Sequence, residues 1–219
     1  HFPKIWDSYF RGKKDKYNLY IHPKYPEKVT WKKKHIINNL VETSWGFIVK
    51  AYIELLKEAY KDKDNIKFVT ISESDVPIQS FDQFYNDVIK DERSWIKFMP
   101  IKKYNWKVRI DSQPKKGRPP HMIKHYARFC LNQNHVNELL SKKNKDYLNF
   151  FYNMHVGDEF FLSTIAPINH VKNFAVTYDD WDYVHELGLK IKEEKKKYYE
   201  NQEKTGKNHS NKLKKLQNE

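Results

Sequence analysis

A chain of 219 residues with 39% hydrophobic and 16% aromatic content can bury one sizeable core, and its 13 Phe, 15 Tyr and 6 Trp exclude a solvated, disordered polymer. The net charge of +13 calls for an anionic ligand; ten Lys against five acidic residues in 190–219 account for +5, leaving +8 on the rest, a balance that admits nucleic acid or a nucleotide diphosphate without choosing. A single cysteine, Cys130, excludes an intramolecular disulfide framework, and no apolar run of about 18 residues is present to span a membrane.

In chain order, the alternation over residues 17–21 predicts a short strand stopped by His22-Pro23. From Trp45, apolar positions 45, 48, 49, 52, 55, 56 and 59 follow helical spacing. Residues 66–71 read as a compact strand that ends in the polar turn Ser72-Glu73-Ser74-Asp75. Ser80 and Gln83 form a capping-box pattern, and 81, 84, 85, 88 and 89 supply the apolar stripe of the next helix. Residues 94–99 predict another strand, and the prolines, Gly117 and basic residues of 102–121 predict a long surface loop. Beyond it come a strand at 129–131, with Cys130 as a packing residue, and a short helix at 136–140. A break at 141–146, an aromatic run at 150–152, a helix from 158 to about 165 and a strand at 173–177 follow. Residues 190–219 read as a Lys-rich helical or disordered extension to a domain at 1–189. Strands alternating with helices predict an α/β sandwich with a largely parallel sheet.

Three ordered blocks carry a family resemblance. The first is Trp45-Gly46 through Ala59, then Phe68-Val69-Thr70-Ile71-Ser72-Glu73-Ser74-Asp75-Val76-Pro77. The second is residues 126–135, in which Phe129, Leu131 and His135 fit the pattern, while His125 and Arg128 stand near a usual glycine and tryptophan. The third is Gly157-Asp158-Glu159-Phe160-Phe161-Leu162-Ser163-Thr164-Ile165, followed by Thr177-Tyr178-Asp179-Asp180-Trp181. Together they resemble the Core-2/I-branching N-acetylglucosaminyltransferases and the related peptide O-xylosyltransferases. The resemblance implies a GT-A-like three-layer sandwich whose first strand lies before the position of His1, and a Golgi or membrane setting reached only through segments outside this chain. It also implies inverting transfer of N-acetylglucosamine or xylose from a UDP-sugar to a hydroxyl of a glycan or glycoprotein, with no metal cofactor.

Such transfer needs a base for the acceptor hydroxyl and positive charge for the departing diphosphate. The resemblance puts the base at Glu159, with Asp158 capping or orienting the helix; an acidic pair that merely complements a helix N-terminus is the alternative. Ser72, Glu73 and Asp75 follow a strand end and become donor-binding candidates, against ordinary turn chemistry. Arg109, with Lys115, Lys116, Arg118, Lys190 and Lys192, could meet the diphosphate. Tyr178 and Trp181 could stack on an acceptor or belong to the core, and Asp180-Trp181-Asp182 carries the short acidic pattern that often holds a metal. His22, His121 and His185 lack ligand spacing and read as structural. The rival classes are a basic nucleic-acid-binding protein, for which no recognisable module is present, and an inactive glycosyltransferase fold; no nucleic-acid partner is expected.

Overall fold

A computed structural model describes residues 2–99, 116–119, 122–162, 171–173 and 176, all within one unit, His1–Thr177. Helix α1 (Pro3–Tyr9) begins with Pro3, where a missing N–H costs nothing. Its Trp6 and Tyr9 join an aromatic cluster in which Phe10 stacks on Tyr17 at 4.3 Å and packs edge-on against Phe81. Residues 17–21 do not form the expected strand. The pairing found there is a single bridge between Ile21 and Ile36, closed by bonds from Ile21 N–H to the His35 carbonyl and from Ile37 N–H to the Ile21 carbonyl. Alternation supplies two faces, but a strand also needs a partner along its length.

Helix α2 (Val49–Tyr60) buries Val49, Ala51, Tyr52, Ile53, Leu56 and Ala59. The apolar spacing therefore holds from position 49, whereas Trp45 lies before the helix and is 79% exposed. Gly46, at φ +79°, breaks the helical path between them.

Strand β1 (Lys67–Val69), helix α3 (Phe81–Lys90), strand β2 (Ser94–Met99) and strand β3 (Lys124–Asn132) follow. Ser80 caps α3 by accepting the Gln83 N–H at 3.2 Å, an arrangement worth about 1 kcal/mol. Helix α4 (Gln133–Leu140) is capped in the same way by Asn132, which accepts from His135 N–H at 2.9 Å. Helix α5 (Lys145–Asn153) and strand β4 (Val171–Lys172) complete the described elements. Of the strand expected at 173–177, residues 174, 175 and 177 lie outside the described residues; β4 ends at Lys172, and Asn173 uses its side-chain oxygen to accept the Phe98 N–H at 3.0 Å.

The fold is mixed α/β, with a four-stranded sheet ordered β1-β3-β2-β4. Among the described residues the sheet is not the largely parallel one expected from the sequence: β3 pairs antiparallel with both β1 and β2, and the β2–β4 pairing alone is parallel. Strands β1 and β2 do share a direction, as a strand–helix–strand crossover requires, but β3 enters between them from the opposite end. Phe68, Ile96, Phe129 and Leu131 pack with α2, α4, α5 and residues 160–162 in the main core. Trp95 and Cys130, on the other sheet face, meet Val88 of α3. Cys130 is a packing residue, its thiol pushed up to about 12 by burial. Of the loop expected at 102–121, residues 116–119 are described, with Lys116 exposed and Arg118 half-buried; the rest of it and the extension at 190–219 lie outside the described residues.

Candidate active site

Four segments converge on one end of the sheet: α2, the turn after β1, the first half of β3, and the turn at 156–160. Asp75 closes the β1 turn twice, its carboxylate accepting the Ser72 N–H at 2.6 Å while its own N–H reaches the Ser72 carbonyl at 3.2 Å. The same carboxylate oxygen takes a hydrogen bond from Arg128 Nε at 2.8 Å. Turn chemistry is therefore present, and it also aims a charge at a cation from a neighbouring strand. Ser72 is half-buried and Glu73 exposed on this turn.

Arg128 donates through Nη1 to the Tyr52 hydroxyl at 3.2 Å, and that hydroxyl donates to the Ala127 carbonyl at 3.2 Å. Burial pushes the Tyr52 phenol up to about 12, so it stays protonated, and the charges of Arg128, Asp158 and Asp75 all act on it. The turn after β1 and the acidic pair therefore share one electrostatic neighbourhood. Arg128, which departs from the family pattern, links them.

The acidic pair does not begin a regular helix as expected. Gly157–Glu159 is a single 3-10 turn entered through Val156, a β-branched residue at φ +58°, and Phe161 and Leu162 resume helical structure after it. Asp158 is accordingly not a cap. Its side chain is buried, and Oδ1 has no hydrogen-bond partner. Burial, reinforced by the charge of Glu159, raises its carboxyl to about 6. Strained backbone and a buried carboxylate oxygen without a partner are features that concentrate at working sites.

Glu159 keeps 24% of its side chain exposed, and Lys124 Nζ lies 2.9 Å from its Oε2, a close ion pair without hydrogen-bond alignment. Lys124 is itself buried on β3. His125, next in the strand, accepts the Leu162 N–H through Nε2 at 3.2 Å and donates from Nδ1 to the Tyr126 carbonyl at 2.8 Å. Burial lowers this imidazole to about 4, so it is neutral and fit to accept. The opening of β3 therefore grips the acidic turn on both sides.

From the opposite direction, Val156 N–H donates to the Gly46 carbonyl at 2.7 Å, and the Trp45 ring packs 5.0 Å from that of His155. A Cβ on Gly157 would stand 2.5 Å from the Phe151 carbonyl oxygen, a backbone atom that cannot rotate away. Gly157→Ala is expected to cost about 2 kcal/mol, read as a lowered midpoint in urea at unchanged slope.

Of the residues singled out from the sequence, Ser72, Asp75, Asp158 and Glu159 are brought together. Arg109, Tyr178 and Trp181 lie outside the described residues, as do Lys115, Asp180, Asp182, His121, His185, Lys190 and Lys192. His22 is structural as expected, its Nε2 accepting the Val41 N–H at 3.0 Å. Sequence reading missed Lys124 and Tyr52. The signal for the first was available: Lys124, Tyr126 and Arg128 alternate through a strand that continues into an apolar run, so two cations share one strand face.

The chain is also similar to known proteins. A 119-residue stretch is 29% identical to glycosyltransferase BC10 of Oryza sativa subsp. japonica, covering 49% of this chain and 30% of the rice protein. The family model for the Core-2/I-branching enzyme matches residues 1–216, and the chain belongs to that family.

Proposed function

We propose that the protein transfers N-acetylglucosamine or xylose from a UDP-sugar to a hydroxyl of a glycan or glycoprotein, with inversion and without a metal, on a three-layer GT-A-like scaffold. The observation that carries this reading is the acidic pair at 158–159, gripped by β3 and linked through Arg128 and Tyr52 to the turn at 72–75. Glu159, the partly exposed member, takes the proton of the acceptor hydroxyl; that oxygen attacks the anomeric carbon from the face opposite the leaving group. The bond to the nucleotide breaks, and UDP departs with the electron pair. One displacement inverts the anomeric centre. Ser72, Glu73, Asp75 and Arg109 hold the donor in this reading, and Tyr178 and Trp181 hold the acceptor.

The test is thermal stabilisation by UDP-GlcNAc, UDP-xylose, UDP-glucose and an oligonucleotide, each with and without EDTA. One nucleotide sugar should raise the melting temperature by several degrees, as ligand present at about 100 times its Kd would, and chelation should not change that. Stabilisation by the oligonucleotide alone would put the protein in the rival class.

A further inference from the structure

Lys124 is 5% exposed, and its ammonium lies 2.9 Å from Glu159. A buried ammonium requires a counter-charge. A carboxylate oxygen in contact with an ammonium at 2.9 Å also has less room to take up an acceptor's hydroxyl. A base so restrained works best when something else draws the cation away, and the donor brings such an anion in its diphosphate.

Of the two partners, the lysine is the one able to move. Its ammonium is a point charge with three rotatable donors on a flexible four-carbon stem, and it can change anions without backbone movement. Glu159 sits on a turn fixed by the Val156–Gly46 bond at 2.7 Å and the Leu162–His125 bond at 3.2 Å. Arg128, by contrast, is a planar fork already bound to Asp75 at 2.8 Å and to Tyr52 at 3.2 Å, while Lys124 also reaches the Met99 sulfur at 3.7 Å.

We propose that Lys124 switches between two anions: it holds Glu159 in the ligand-free protein and transfers to the donor's diphosphate on binding, which frees Glu159 to receive the acceptor's proton. The base is then released only once a donor is in place, so productive binding is ordered, donor first. The inference rests on the glycosyl-transfer reading and adds to it a residue and a sequence of events.

Calorimetric titration of UDP and UMP into the wild type, Lys124→Met, Glu159→Gln and the double variant tests it. Lys124→Met should weaken UDP about tenfold or more while changing UMP less than about twofold, because only UDP carries the second phosphate. Glu159→Gln should tighten UDP about fivefold, and that gain should vanish when Lys124 is Met. Equal losses for UDP and UMP would mean that Lys124 only supports the fold, and a Glu159→Gln gain that persists without Lys124 would mean a general field effect; either result overturns the switch. Should Lys124→Met not fold, Glu159→Gln still decides, since unchanged UDP affinity rules the switch out. A wild type that binds neither nucleotide removes the glycosyl-transfer reading itself, an outcome distinct from normal UDP binding that is indifferent to Lys124.

Discussion

Glu159→Gln is expected to lower the turnover of sugar transfer by about a thousandfold, the upper part of the range for losing a positioned general base. The amide keeps the shape and much of the hydrogen-bonding capacity of the carboxylate, but it cannot take a proton from the acceptor. The fold should survive, although Lys124 loses its partner in a buried position. Lys124 keeps its contact with the Met99 sulfur at 3.7 Å, and the neutral amide oxygen of the variant can still accept from its ammonium, more weakly than the carboxylate does. Initial rates with the stabilising nucleotide sugar, together with circular-dichroism melting, check both halves. Near-normal turnover in a folded variant would end the assignment of Glu159 as base.

That the two carboxylates share one tight turn was only partly readable from residue order. Local signals with short reach were accurate: Ser80 caps its helix, residues 49–59 keep their helical face, and 94–99 form the predicted strand. Signals whose outcome depends on distant partners were not. Residues 17–21 alternate as a strand does, yet only Ile21 is bridged, because alternation does not specify a neighbour. The strand–helix–strand order of β1, α3 and β2 correctly implies that the two strands share a direction, but nothing local announces that β3 will enter between them. At the site, Asp158 and Glu159 were found as a pair but given a helix start. The left-handed φ of Val156 converts that start into a tight turn, and this conformation is held by the distant Gly46 carbonyl, which no local pattern at 156–159 encodes. Arg128 looked like damage to a family motif when read along the chain. In space it joins Asp75 to Tyr52.

Asp158→Asn is expected to stabilise the protein near neutral pH while reducing its rate of transfer. The folded-state carboxyl titrates at about 6, above its ordinary value of 3.8, so between those limits the folded protein holds a proton that the unfolded chain releases. Stability from this group is therefore fully present below about pH 4, falls as pH rises to about 6, and stays lost above it. A shift of about two units corresponds to roughly 3 kcal/mol, in keeping with a buried carboxylate whose Oδ1 finds no donor. Asparagine carries no charge to desolvate, so the difference between variant and wild type in urea unfolding should approach that figure at pH 7.5 and shrink towards zero at pH 4. Taking the difference cancels Asp91, whose carboxyl Arg93 holds well below its ordinary value and whose contribution runs in the opposite direction. A uniform stabilisation at both pH values would mean that the carboxylate is not the source of the cost. The accompanying loss of rate distinguishes a charge kept for function from one that is merely misplaced, because a buried carboxylate with an unpartnered oxygen beside Glu159 is worth retaining only where the reaction uses the pair.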